Sequence, residues 1–595
     1  MIQASPRSAV SSSLPRPIAR LAHPLVRPLA PALLLLAAAC APMSQTAEVE
    51  AGSPPASTSA AQGQVMVAAA NPLAVEAGLE VLRAGGSAVD AAVAVQAVLG
   101  LVEPQSSGLG GGAFMVHYDA ETGVVSAYNG RETAPAAATP DMFLNDEGKP
   151  LPFFQVLLSG RSTGVPGAVA MLHMAQAEHG NLQWNQLFGS AERLADEGFI
   201  VSPRLAGMIT SQAPQAKAPD AVAYFTKPDG TRYAAGDRLR NPAYAATVRK
   251  IAAEGPDALL EGEIAQAIVA RVGQGDLPGV MTLADLAAYE PKKTEALCRP
   301  YRVYVVCTPP APSGGPAVLE GLGILEHTAI ADHPNDAQGW YLFTQASRLM
   351  YADRDRYMGD PDFVAVPTEG LLDKTYLAER ARLIGSTAGP APAPGTPVGA
   401  GVRAPDATRE VSGTSHFVIV DAAGDAVSMT TTVESIFGSG RMVGGFFLNN
   451  QLTDFAFAPV NPDGAPAANA IAGGKRPRSS MAPAVVLEDG KLAAAVGSPG
   501  GTSILAYNLK ALVGMLDWKM PVAEAIALPN LIARGASYAA EGDKFAPEVV
   551  AGLAERGVTF TAVGGEGSGL HGVRVTPQGL DGAADPRREG VARGF

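Results

Sequence analysis

Three cysteines and eight histidines are spread thinly over 595 residues. No His-x3-His or Cys-x2-Cys spacing occurs, so a structural zinc site is not expected and no metal or other cofactor is called for. Charged residues make up only 17% of the chain, and the net charge is −13. After the N-terminus there is no block of Lys or Arg, which argues against a nucleic-acid partner. The Gly-rich run Gly108-Leu109-Gly110-Gly111-Gly112 is not followed by Lys-Ser/Thr and leads into a strand, so close backbone packing is the reading and not phosphate binding. No internal repeat is visible. The length is too great for one ordinary core, so two lobes or one large layered domain are expected.

The N-terminus differs from the rest. Arg7, Arg16, Arg20 and Arg27 precede the apolar run Leu33 to Ala39, which ends at Cys40. The run is too short to span a bilayer and has the layout of a secretory signal. Small residues before a lone Cys resemble the bacterial lipobox, which makes Cys40 a candidate for lipidation over residues 1–40. Ala37 stands where that motif most often has Leu, and ordinary signal-peptidase cleavage is the rival. Residues 41–63 read as a tether. Export to the periplasm, with or without a lipid anchor in a membrane, is the expectation.

The most informative stretch is Thr414-Ser-His-Phe-Val-Ile-Val420, joined through Asp421-Ala-Ala-Gly-Asp425 to Ala426-Val-Ser-Met-Thr-Thr-Thr432. Two β-branched runs around a Gly-containing turn predict a β-hairpin. Before it lies a Pro/Gly/Ala-rich segment, 385–405, that reads as flexible. A hydroxyl residue heading a buried strand behind a loose loop suggests a chain cut between Gly413 and Thr414. That cut would give Thr414 a free α-amine beside its own hydroxyl, and an α-amine titrates near ~8, within reach of a general base at neutral pH. The plainer reading is an ordinary strand whose Thr fits the pleat.

Elsewhere, helices are predicted over 72–82 and 88–101, the second apolar nearly all round and therefore central. Strands are predicted over 113–118 and 124–128. Arg131, at the end of the latter, is either a surface charge or a bidentate carboxylate clamp. Residues 168–290 read as mostly helical. A strand over 301–306 lies between Cys298 and Cys307, which in an oxidising compartment either pair across a hairpin or stay reduced. Helices follow over 317–327 and 337–351, and a hairpin over 484–496 turns at Asp489-Gly490. Gly500-Gly501 precedes a helix over 502–516, where outward N–H groups suit an oxyanion or merely close a tight turn.

Taken together, these residues resemble the γ-glutamyltransferase (γ-glutamyltranspeptidase) family of N-terminal-nucleophile hydrolases, over Val65 to about Gly590. The most specific block is Thr-Ser-His with Val-Ser-x-Thr-x-Thr-Val-Glu-x-x-Phe-Gly (Val427 to Gly438). Asn-Asn-Gln-x-x-Asp, Arg-Pro-x-Ser-Ser-Met, Gly-Ser-Pro-Gly-Gly and the earlier Gly-Leu-Gly-Gly-Gly-Ala-Phe-Met follow the family's order. The resemblance implies an α/β (α+β) four-layer αββα sandwich made from two autoproteolytic fragments, a large subunit 64–413 and a small one 414–595, held as a heterodimer. It implies Thr414 as nucleophile, Thr432 as its hydrogen-bond partner, and Gly500 and Gly501 as the oxyanion hole. Arg131, Ser479 and Ser480 would hold a glutamyl α-carboxylate, and Glu434, Gln451 and Asp454 its α-amine.

The implied activity is cleavage of glutathione and related γ-glutamyl compounds through an ester on Thr414, with water or an amino acid or peptide as acceptor. An acylase of the same fold for glutaryl- or cephalosporin-type side chains is the near alternative, and an uncut binding lipoprotein the distant one. Val418, Asp425 and Glu434 depart from the usual residues. The stretch between Asp454 and Lys475 is short and lacks the Tyr of the family's lid, which predicts an open pocket.

Overall fold

The computed structural model describes residues 63–406, 408, 410–460, 464–563 and 567–595; Cys40, the signal segment and nearly all of the tether lie outside them. Gly63, counted with the tether, already bridges Leu580. The strands that matter are β1 (Met66–Ala69), β2 (Gly112–Tyr118), β3 (Val125–Gly130), β4 (Lys292–Glu295), β5 (Leu297–Tyr301), β6 (Tyr304–Thr308), β7 (Thr414–Val420), β8 (Ala426–Thr432), β9 (Ala484–Glu488), β10 (Lys491–Gly497), β11 (His571–Thr576), β12 (Gly579–Ala584) and β13 (Val591–Gly594). Seven form one sheet in the order β13-β1-β7-β8-β2-β3-β4, and six form the other in the order β12-β11-β10-β9-β6-β5.

Side-chain alternation builds the layers. Met66, Ala68, Val418, Val420 and Ala426 of the first sheet meet Val485, Leu487, Ala495 and Val573 of the second in one apolar seam. The opposite faces are covered by helices. Phe417, Ile419, Val427 and Met429 pack under α1 (Pro72–Arg83), α2 (Ala88–Val102) and α3 (Ala168–His179). Val306, Val486 and Val496 pack under α4 (Gly315–Glu326), α5 (Ala337–Tyr357) and α6 (Ile504–Leu516). The result is the αββα sandwich. Helix α2, buried along its whole length, is the central helix that its all-round apolar surface predicts. Ser87 caps it in a reciprocal capping box with Asp90.

Two readings of the sequence need correction. The run 301–306 is not one strand: the chain turns at Arg302-Val303, with Arg302 at φ 55°, and β5 and β6 pair across that turn. Cys298 and Cys307 are register partners there and are joined as a disulfide. The segment 385–405 is irregular but held. Arg348 donates to the Gly389 and Pro390 carbonyls, Arg380 to Ala393, and Asp353 accepts from the Gly395 N–H. A Pro/Gly/Ala chain offers few side-chain partners of its own, so long side chains from neighbouring helices satisfy its backbone instead.

Candidate active site

The site lies where β7 begins and β8 ends, at the rim between the sheets. Thr414 and Thr432 are register partners. Parity with Val418, Val420 and Ala426 turns both side chains toward the second sheet. Thr414 Oγ1 donates to Thr432 Oγ1 at 3.2 Å, and Thr432 Oγ1 donates to the Gly413 carbonyl at 2.7 Å. The Glu434 N–H donates to the same Thr432 oxygen at 2.8 Å. One proton and two lone pairs are all a hydroxyl has, so Thr432 is fully engaged. The chain is continuous here, and the carbonyl that Thr432 grips belongs to the Gly413–Thr414 bond. A Cβ on Gly413 would lie 2.5 Å from Ser435 Cα, which leaves glycine as the residue that fits.

Close backbone approach explains the Gly-rich loop before β2. A Cβ on Gly111 would sit 2.0 Å from the Thr432 carbonyl oxygen, and one on Gly110 would sit 2.5 Å from that of Phe447. Gly500 and Gly501 precede α6 with φ of 139° and 56°, conformations that side chains disfavour. Gly501 lines the cavity with Thr414 and Thr432. Gly500 stands one residue behind, its Cα facing the Tyr507 ring.

That cavity, about 20 Å³, is lined also by Arg131, Glu434, Gln451, Asp454, Ser479 and Ser480. Arg131 is no surface charge: it is 1% exposed. Its Nη2 donates to Asp454 Oδ2 at 2.6 Å and to the Arg478 carbonyl at 2.8 Å, and its Nε donates to the Pro477 carbonyl at 3.1 Å. Arg131 and Asp454, matched to opposite ends of a zwitterion, therefore touch each other. Gln451 Nε2 donates to Asp454 Oδ2 at 2.6 Å, while Asp454 Oδ1 is buried with no hydrogen-bond partner among the described residues. Glu434 accepts from the Val411 N–H at 3.1 Å and from Asn450 Nδ2. Ser479 Oγ accepts from the Met481 N–H at 3.1 Å.

Burial dominates the protonation of these acids. It pushes Asp454 up to about 6 against the pull of Arg131. Burial and then the charge of Asp454 push Glu434 well above the usual carboxylate range. Glu132, beside Arg131, is pushed by burial up to about 8. Three buried acids thus share the one Arg131 cation, and burial raises all three.

Three neighbours escaped the sequence reading. Glu410 and Val411 line the cavity from the segment just before Thr414, and Arg354 of α5 stands behind it, bonded to Glu410 and Ser480. Glu410 sits in a non-periodic stretch that carries no structural signal. Arg354 had one: an Asp-Arg-Asp run in line with a long helix whose neighbouring turns are apolar. The residues after Asp454 turn away, with Phe457 stacking on Phe143 at 4.8 Å, and among the described residues none of 455–474 lines the cavity.

Comparison with known proteins bears on the same residues. The family model described as Gamma-glutamyltranspeptidase matches residues 74–595. The chain is 35% identical over 546 residues to a glutathione hydrolase proenzyme of Bacillus subtilis (strain 168), covering 89% of this chain and 91% of that protein. It is 35% identical over 537 residues to a glutathione hydrolase proenzyme of Escherichia coli (strain K12), covering 88% and 90%. Among solved structures, a cephalosporin acylase from Bacillus halodurans superposes with a TM-score of 0.80 at 26% identity, covering 93% of this chain and 99% of that one.

Proposed function

The chain belongs to the gamma-glutamyltranspeptidase family, enzymes that act on γ-glutamyl bonds, and from that premise we propose that it cuts itself at Gly413–Thr414 and then works through Thr414. The observation that carries this is the double engagement of Thr432, which holds the nucleophile hydroxyl and the carbonyl it would attack in one hydrogen-bonded chain.

In self-cleavage, Thr414 Oγ1 adds to the Gly413 carbonyl carbon while Thr432 donates to the carbonyl oxygen as it gains charge. The C–N bond breaks, the nitrogen takes up the proton that the Thr414 hydroxyl gives up and leaves as the α-amine, and an ester joins Gly413 to Thr414 Oγ1. Water hydrolyses the ester and frees both ends. In turnover that amine, near ~8 in its ordinary range, takes the hydroxyl proton as Oγ1 attacks a γ-glutamyl carbonyl. The leaving amine takes a proton, and water or an amino acid or peptide amine removes the glutamyl group from the ester. Gly501, with Gly500 behind it, offers backbone N–H groups to the oxyanion. The acidic nest of Asp454, Glu434 and Gln451 suits an α-ammonium group, and Ser479, Ser480 and Arg131 suit the α-carboxylate. Glutathione, which the relatives' names point to, is the first donor to try.

The fold likeness to a cephalosporin acylase favours a second reading, an acylase for side chains without an α-amine. Asp454 would then keep Arg131 as its only cation in the site and Glu434 would stay neutral through burial, with no ligand group for either to recognise, so the γ-glutamyl reading is preferred. Export remains part of the proposal, and the Cys298–Cys307 disulfide supports an oxidising compartment. Lipidation at Cys40 is carried by the sequence alone.

The test is a denaturing gel with N-terminal sequencing of the small band, beside a Thr414→Ala variant. A fragment beginning at Thr414, absent from the variant, and hydrolysis of a γ-glutamyl anilide over a glutaryl anilide are the expected outcomes. An uncut wild-type chain would leave Thr414 without its base and overturn the reading.

A further inference from the structure

A second cavity opens at the side of the sandwich, where the seam between the sheets ends at the edge strand β4. It holds about 240 Å³. Phe114, Asn129 and Lys292 are register partners across β2, β3 and β4, so their side chains share one face, the face that Val116 turns toward the second sheet. Ala127 and Thr294 stand two residues further along on that face, and these five form one wall of the cavity. The other wall is Pro309-Pro310-Ala311-Pro312, the run between β6 and α4. Proline has no N–H, so the run brings almost no donor to an apolar wall. Its carbonyls are taken as well: Ser313 Oγ donates to that of Pro309 at 2.6 Å, the Ser313 N–H to that of Pro310 at 3.2 Å, and the Ser479 N–H to that of Pro312 at 2.8 Å.

The cavity is thus apolar inside and charged at its mouth. There Lys292 pairs with Asp362, their side chains 39% and 49% exposed. Such an exposed pair contributes little to stability, so a ligand that parts it gives up little. The backbone of Asp362 is pinned by Asp360, whose Oδ1 accepts the Asp362 N–H at 3.2 Å and whose Oδ2 accepts the Arg476 N–H at 2.8 Å. A zwitterion can enter between the two charges and leave neither unpaired, with its carboxylate on Lys292 and its ammonium on Asp362. An apolar side chain then reaches Phe114, Ala127 and the prolines. The volume lies just below the range of about 300 Å³ and upward that suits drug-sized ligands, which matches a free amino acid.

Three contacts join this cavity to the catalytic one. Phe114 packs on Met481 and Ile504, which line the catalytic cavity and separate the two. Asn129 Oδ1 accepts from the Arg131 N–H at 2.9 Å, and Pro312 holds the Ser479 N–H. We propose that the second cavity is an effector site for a free α-amino acid with an apolar side chain, and that filling it steadies Arg131 and Ser479 and so tightens the donor site. The existence of the site is independent of the γ-glutamyl reading; its effect on turnover rests on that reading.

The site is tested first without activity. L-Phenylalanine is titrated calorimetrically into uncut Thr414→Ala protein, whose catalytic cavity has room for about one water and none for an amino acid. One saturable site is expected, with a dissociation constant on the order of 1 mM. Thr294→Trp puts a good strand former on the exposed edge and fills the cavity, and should weaken binding by about tenfold or more. Lys292→Ala should weaken it by about tenfold. No saturable binding, or unchanged affinity in Thr294→Trp, overturns the site. Equal binding of N-acetylphenylalanine amide, which carries neither charge, overturns the amino-acid assignment and makes the cavity a seat for an uncharged apolar group.

The effect on turnover is read on cleaved wild-type enzyme. Saturating phenylalanine should lower KM for γ-glutamyl p-nitroanilide by about fivefold, and should not do so in Thr294→Trp. An unchanged KM, or the same change in Thr294→Trp, overturns the link to the donor site; the second outcome, with γ-glutamylphenylalanine among the products, would mark phenylalanine as an acceptor only. If the enzyme hydrolysed no γ-glutamyl anilide, the γ-glutamyl reading would fail while the titration still decided the site.

Discussion

Replacing Thr432 by Val keeps the side chain's shape and removes its hydroxyl, so it isolates the hydrogen-bonded chain that joins Thr414 to the Gly413 carbonyl. In the folded precursor the change strands the buried Glu434 N–H, at a cost of about 1–3 kcal/mol. That cost is present before and during the reaction, so it lowers stability without slowing cleavage. The rate responds to the other bond. The 2.7 Å donation to the Gly413 oxygen strengthens as the oxyanion forms, and a lost oxyanion donor is worth about 3–4 kcal/mol, or roughly 100- to 1,000-fold. Thr432→Val should therefore purify largely uncut and then process slowly. Thr432→Ser loses one methyl but keeps the hydroxyl and should process within a factor of about ten of wild type. The assay is the uncut fraction on a denaturing gel against time, with intact mass to locate the cut. Wild-type processing in Thr432→Val, or equal slowing in the Val and Ser variants, would refute the role given to this hydroxyl.

Asp454, raised by burial to about 6, is neutral below that pH and a poor partner for an ammonium; kcat/KM for a γ-glutamyl donor should fall as pH drops through 6. The same fall should be absent for a glutaryl donor, and a shared limb would assign it elsewhere. Asp454→Asn should cost about 100-fold in kcat/KM for the γ-glutamyl donor, by removing one buried charge-assisted contact. Gly111→Ala forces a Cβ to 2.0 Å from the Thr432 oxygen, and both partners are backbone; it should abolish processing or folding, read on the same gel and by thermal melt. Opening the Cys298–Cys307 bridge with Cys298→Ser should cost under about 3 kcal/mol. It should leave the site intact, because β5 is the outer strand of the second sheet.

What the sequence made legible was local or periodic. Alternating β-branched residues around Ala422-Ala423-Gly424 specify the β7–β8 hairpin, and once its register is right Thr432 must face Thr414. The glycines of 108–112 pointed to close backbone contact, and the structure has it. The contacts that escaped are long-range convergences with no periodic signal. Ser480 and Arg354 are 126 residues apart, and Glu410 lies 56 residues from Arg354. Proline and glycine in 385–405 suggested looseness because composition cannot show that Arg348 and Arg380 come from elsewhere to hold that backbone. The hairpin of β5 and β6 was read as one strand because its turn, Arg302-Val303, uses a non-glycine residue at positive φ.

The strand order has a consequence for the molecule once the proposed cut is made. In the first sheet, β13, β7 and β8 follow the cut in sequence, while β1, β2, β3 and β4 precede it, and β1 is hydrogen-bonded between β13 and β7. The two pieces are thus woven through one another and not laid face to face. Neither can leave without unzipping ladders on both sides, so extreme dilution should not part them, and mixing separately made pieces should not rebuild the enzyme. The proposed cut would change what the chain can do without changing how many bodies it behaves as.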